Sequence, residues 1–342
     1  MGELHQIERV RGGWKPACCL LLLAPIAGEL ITSSAPPFVF FIPWVFVLFA
    51  LLYGCGAILV RELAVRWGSG WTGILLLGAA YGILEEGLGA KSFFDPHWRA
   101  LGPLGTHGRW LGVNWVWTLG LILFHSGFCM GWSILAASLP FPQHRNSPWL
   151  SRKALTGVGI AYGFVLLLFF QKGNENGYQA PASYYWASVA AAALLALAAA
   201  LRPRRMAPRL FSEVPASWLG WLGFSSIIVF ILTLYALPGT GVPAWVTTSA
   251  LVGLAVTIGL LLRSWSGAGS NAFTVWQEFS LAAGAIGAFA IQAPFQEWNP
   301  ARGSSARGMT FVGIACCLYI FWLRGVALRE VSSAMEKEPC VS

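Results

Sequence analysis

Two adjacent glutamates, Glu85 and Glu86, close the apolar part of the stretch YGILEEGLGAKSFF that runs from Tyr81 to Phe94. An ionised carboxylate is costly away from water, and two side by side repel each other, so in a low-dielectric setting the pair is expected to keep a proton between them. Carboxylates that hold and release one proton serve general acid–base chemistry or proton coupling. Glu29 and His125 also fall inside apolar runs, where ionisable side chains are functional candidates by default, and Gln292 adds a further polar group in such a run. The plainer readings differ for each residue. The glutamates could cap a helix end solvated by the following loop, or pair with Lys91. His125 could be a core histidine bonded to a neighbouring helix, and Glu29 a structural partner or a contact to lipid headgroups.

These residues need elements to position them. The composition supplies membrane helices: 56% of the chain is hydrophobic and only 11% is charged, with a mean hydropathy of +0.64. A soluble domain carries roughly 25% charged residues, so this chain cannot clothe a water-facing surface. Apolar runs of about 20 residues recur along it, the length a helix needs to cross a ~30 Å hydrocarbon core. Strand-like alternation is absent, which leaves helices to satisfy the backbone. The expected fold is all-α, a polytopic transmembrane helix bundle with about ten spans. They lie at roughly 15–34, 38–60, 71–90, 113–138, 154–171, 183–201, 217–237, 244–263, 276–293 and 308–325. Residues 1–13 form a polar cytoplasmic N-terminus, 14–325 the membrane domain, and 326–342 a polar cytoplasmic tail expected to be poorly ordered.

Orientation follows from lysine and arginine, which concentrate on the cytoplasmic side. With both termini inside, the outer segments hold only Lys91, Arg99, Arg109, Lys172, Arg302 and Arg307 of the 22 basic residues. The net charge of +8 therefore calls for no nucleic acid, and RPRRMAPR at 202–209 is expected to face anionic lipid. Trp14, Trp71, Trp115 and Trp245 stand near span ends, as an interfacial belt requires. The membrane concerned is expected to be a bacterial cytoplasmic membrane. No internal repeat relates the two halves.

At 1.5 Å per residue, Glu85, Glu29 and Gln292 lie about 21, 22 and 24 Å from the inner face, and His125 about 16 Å below the outer one. On the third span Gly78, Gly82, Glu85 and Gly89 fall within an arc of about 60°, a small-residue stripe that lets another backbone approach and turns Glu85 into the bundle. On the fourth span Asn114, Thr118, His125 and Cys129 share a similar arc, so Asn114 and Thr118 join Glu29 and Gln292 as supporting or substrate-binding candidates. The long outer connection from Lys91 to Trp117, rich in aromatics, Gly and Pro, is expected to pack as a lid.

Spacing gives no cofactor or metal. Asp95, His97 and His107 match no strong zinc pattern, and no P-loop, GxGxxG, GxSxG or HExxH stands in a supporting context. The seven cysteines contain no CxxC pair and read as small apolar fillers.

Adjacent glutamates on one membrane helix and a histidine on the next resemble the CAAX protease and bacteriocin-processing family of intramembrane endopeptidases. Its pattern is Glu-Glu-x-x-x-Arg, then Phe-x-x-x-His, then a later histidine. The resemblance implies Glu85 and Glu86 as the water-activating pair and His125 as their catalytic partner. It covers about residues 81–125. Ala90 stands at the Arg position with Lys91 beside it, Leu121 replaces the Phe, and no histidine follows His144. The same stretch, through SFFDP and GVNWVW, is also similar to multi-pass bacterial proteins of unassigned function. Three functions stay open: an intramembrane endopeptidase acting on a membrane-embedded peptide, a proton-coupled transporter of a small solute or lipid-linked molecule, and a non-catalytic membrane partner. Oligomeric state is not legible.

Overall fold

The structure, a computed structural model, describes residues 14–99, 101–172, 177–202, 214–265, 273–299 and 306–337. The N-terminal segment 1–13 and most of the basic run at 202–209 lie outside the described residues. The long helices are α1 (Trp14–Pro25, continued by Ile26–Leu30), α2 (Pro43–Trp67), α3 (Gly70–Ile83, continued by Leu84–Gly89), α4 (Trp115–Ser138), α5 (Arg152–Lys172), α6 (Ala182–Leu201), α7 (Ala216–Thr240), α8 (Ala244–Trp265), α9 (Val275–Trp298) and α10 (Met309–Lys337). Among the described residues, eight of these are long and apolar enough to cross a membrane, all except α1 and α3. α1 is shorter than the rest, and α3 carries the glutamate pair.

Sequence chemistry sets the ends. Pro43 has no N–H and forces the preceding Ile42 into an extended conformation, so α2 starts there and the short helix Pro37–Phe40 is cut off from it. Gly68 closes α2 in the left-handed region, with φ at 65°. Thr274 and Gln277 form a reciprocal capping box at the head of α9. The last helix departs from expectation: it runs to Lys337, past the boundary at 325, because VALREVSSAMEK contains neither Gly nor Pro to stop it.

Contacts at the two ends of the bundle sort as the ten-span alternation requires. At one end Arg61 on α2 donates to the backbone carbonyls of His144 and Arg145 at 2.8 and 2.9 Å, Arg145 pairs with Glu278 on α9 at 2.7 Å, and Gln277 reaches the Val214 carbonyl at 2.7 Å. At the other end Tyr184 on α6 donates to Leu111 at 2.7 Å, His107 meets Thr247 on α8 at 3.1 Å, and Glu297 accepts from the backbone of Gly308 and Thr310 at 3.1 and 2.8 Å. The first is the end expected to face the cytoplasm.

The helices are not equivalent. In the apolar window of α4 67% of residues are buried and in α2 56%, against 11% in α5 and in α8, so α2 and α4 are inner helices and α5 and α8 lie at the outside of the bundle. Trp14, Trp71, Trp115 and Trp245 are all exposed, as a belt at the interface needs. The connection between α3 and α4 is packed. Arg109 donates to the carbonyls of Phe94, Asp95, Gly105 and Gly112, and Phe93, Phe94, Leu101, Leu104 and Trp117 form one buried cluster with Leu234 and Leu251. Burial pushes the Lys91 ammonium in this connection down from its usual range. It sits 5.1 Å over the Phe170 ring and pairs with neither glutamate.

The glycine stripe of α3 seats α4. A Cβ on Gly82 would lie 2.8 Å from the Cβ of His125, and one on Gly78 would lie 3.0 Å from the Cα of Ser126. A larger residue must push α4 away. Gly82→Leu is therefore expected to destabilise the purified protein by about 1–3 kcal/mol, read as a lower melting temperature in detergent. Gly163→Leu on α5, where nothing lies within 4 Å, is the size-matched control and is expected to melt like wild type. Equal melting of the two variants would remove this packing as the reason His125 sits where it does. Gly70, outside the stripe, is no neutral control despite its empty surroundings, because its φ of +60° is one a leucine adopts only with strain.

Candidate functional site

Four inner helices change character where they carry their polar residues. α1 turns π-helical at Ile26–Leu30, α2 at Ala50–Gly54, α3 at Leu84–Gly89 and α4 at His125–Trp132. These segments contain Glu29, Tyr53, Glu85 with Glu86, and His125, respectively. A π turn fits an extra residue into the helix and widens it, which leaves room for a side chain to turn inward; such turns gather at functional sites. Glycines make the space. A Cβ on Gly28 would stand 2.6 Å from the Tyr53 ring, and Gly82 does the same service for His125.

The convergent groups form one connected chain. The Tyr53 hydroxyl lies 2.5 Å from Glu29 Oε1 and 3.1 Å from Glu85 Oε1. A hydroxyl has one hydrogen, so a second linear bond at this oxygen needs a proton on one of the two carboxyl groups. His125 Nε2 lies 3.0 Å from Glu85 Oε2 and 3.2 Å from Glu86 Oε1. Only the second contact has hydrogen-bond geometry, and Glu85 Oε2 is left without a donor. The other oxygen of Glu86 accepts from the Ser92 hydroxyl, which itself accepts from the Trp117 indole at 3.1 Å. Glu85, Glu86 and His125 are 4%, 9% and 2% exposed, which removes the solvated-cap alternative for the glutamates. The imidazole is held between rings, stacked on Tyr53 at 6.3 Å between centroids and tilted against Tyr81 at 5.7 Å.

Glu29 thus joins the cluster through Tyr53. Three other candidates make no hydrogen bond to the cluster. Asn114 caps α4, accepting from the Trp117 backbone at 3.0 Å and donating to the Leu104 carbonyl, so its amide is spent on the helix start and the loop. Thr118 is buried, but its hydroxyl makes no hydrogen bond to the cluster. Gln292 is half-buried on α9, and no hydrogen bond joins it to the cluster. His97 and Asp95 close a local turn, the His97 N–H donating to Asp95 Oδ1 at 2.8 Å, and His107 bonds Thr247.

Sequence reading missed Tyr53 and Ser92. The signal for Tyr53 was a phenol in the middle of an apolar span, where its hydroxyl must find a partner. It also took the chain to hold no metal set. Among the described residues, Glu85, Glu86 and His125 each present one potential ligand atom, all within 4.8 Å of one another.

A family model described as an uncharacterized membrane protein family matches residues 19–265, the region from α1 to α8 that contains every member of the cluster. The match supports a multi-pass membrane protein and adds nothing to the protease resemblance. No curated protein and no solved structure matches the chain.

Proposed function

We propose, from the premise that the chain belongs to an uncharacterized membrane protein family, that its buried Glu85–His125–Glu86 centre activates water for hydrolysis of an amide bond in a membrane-embedded peptide, in a bacterial cytoplasmic membrane. The observation that supports this reading is the pairing of a donor-less carboxylate oxygen, Glu85 Oε2, with an imidazole nitrogen 3.0 Å away in a buried site. A water seated there gives its proton to Glu85 as its oxygen attacks the carbonyl carbon. His125 steadies the negative charge that develops on the carbonyl oxygen. The C–N bond then breaks, and the leaving nitrogen takes the proton from Glu85. Glu86 is bonded at both oxygens, to His125 and Ser92, and serves to orient the imidazole.

A second reading, a proton relay coupled to movement of a small solute, is favoured by one feature: the Tyr53 hydroxyl bridges Glu29 to Glu85 and lengthens the chain of exchangeable groups. Tyr53→Phe separates the two. With the full chain in lipid nanodiscs and a panel of membrane-spanning peptides, mass spectrometry of fragments is expected to show cleavage by wild type, and Tyr53→Phe is expected to slow it no more than about ten-fold, since the general base remains. Absence of cleavage by wild type, with proton uptake into proteoliposomes that stops in Tyr53→Phe, would replace hydrolysis by the relay.

A further inference from the structure

The donor atoms of Glu85, Glu86 and His125 stand at spacings that suit a metal ion. We infer that Glu85, Glu86 and His125 form an intramembrane binding site for one divalent first-row transition-metal ion, of the Mn2+, Fe2+ or Zn2+ kind. This inference goes beyond the hydrolytic reading, does not rest on it, and stands on geometry of its own. Ligand bonds of about 2.0–2.2 Å put neighbouring ligand atoms about 3.0–3.5 Å apart in octahedral or tetrahedral coordination. His125 Nε2 lies 3.0 Å from Glu85 Oε2 and 3.2 Å from Glu86 Oε1, and the full set falls within 4.8 Å.

Two further observations point to an ion. Glu85 is 4% exposed, yet among the described residues its Oε2 receives no hydrogen bond and meets only the imidazole nitrogen at 3.0 Å, which is where a cation would satisfy it. In addition, no lysine or arginine among the described residues pairs with Glu29, Glu85 or Glu86, so the cluster has three acids and one imidazole and no fixed positive charge. An imidazole among carboxylates selects a transition metal over Mg2+ or Ca2+, which take oxygen ligands. Glu29, held through Tyr53, stands behind the ligand set and fixes the position of Glu85.

The test uses the full chain purified in detergent, stripped with EDTA, and titrated with Mn2+ while free Mn2+ is followed by electron paramagnetic resonance. Wild type is expected to bind one ion per chain, with Zn2+ competing. Glu86→Gln and His125→Gln are expected to weaken binding by at least about 100-fold, since even outer-shell losses cost 10–100-fold. Glu278→Gln, at the other end of the bundle, is expected to bind like wild type. Size-exclusion and melting profiles of each variant confirm that it folds, and Glu85→Gln provides a second, shape-preserving test should His125→Gln fail to fold. No stoichiometric binding by wild type, or wild-type binding by the folded Glu85→Gln and Glu86→Gln variants, overturns the metal site. Such a failure leaves hydrolysis standing if peptide cleavage still depends on Glu85. Metal binding without cleavage sinks hydrolysis and keeps the site.

Discussion

Glu85→Gln leaves the fold in place and lowers peptide cleavage by at least about 100-fold, the scale of a lost general base. The amide keeps the shape of the side chain and can still accept from Tyr53 at Oε1, but it cannot take a proton from water. Glu86→Gln is expected to cost less, about ten-fold, because both oxygens of Glu86 are already engaged by His125 and Ser92 and act by holding the imidazole. Initial rates of fragment release in nanodiscs, taken beside melting curves, check the pair. Equal losses in the two variants would mean that the free oxygen of Glu85 confers no special role. Wild-type rates in both would reduce the cluster to packing.

The second large effect lies away from the cluster. Glu62→Ala is expected to destabilise the protein by about 3–5 kcal/mol, the cost of leaving a buried charge without its partner. Glu62 is fully buried and accepts from Arg61 at 2.6 Å, the Trp149 N–H at 2.7 Å and Arg66 at 3.1 Å. Arg61 in turn lies 3.8 Å over the Trp149 ring and is 1% exposed. This clasp ties α2 to the connection after α4, and Arg145 extends it to α9 through Glu278. Arg66→Ala, at the partly exposed edge of the network, is expected to cost about 1 kcal/mol or less. Thermal melting in detergent compares the two, and a Glu62→Ala variant as stable as wild type would refute the clasp.

Much of this architecture was legible. Apolar runs placed a helix at each of the ten expected spans, since the length of a membrane span is set by the bilayer, but the second runs Pro43–Trp67 rather than 38–60 and the last continues to Lys337, and the sorting of contacts to two ends follows the same alternation. The glycines at 78 and 82 were legible as a close-approach stripe because a helix has a fixed period, and they do face α4. The site was legible in part. Glu85, Glu86, His125 and Glu29 stood out because charge in an apolar run is costly. Tyr53 did not, because a phenol in such a run looks like one more aromatic. Asn114 shares the arc of His125, and an asparagine directly before an apolar run is also an N-cap; here it caps α4. Arg61 and Glu62 stand just past the expected end of the span at 38–60, and the connection after α4 folds over them and buries them. The π turns were not legible, because neither apolar periodicity nor a capping residue marks them.

Infrared spectroscopy of the metal-free protein tests most directly whether the buried carboxyl pair and His125 form an exchangeable proton site. The account predicts a protonated-carboxyl stretch in wild type that shifts on transfer from H2O to D2O and that moves or disappears in Glu85→Gln. A wild-type spectrum without such a band, or a band that Glu85→Gln leaves unmoved, would contradict it.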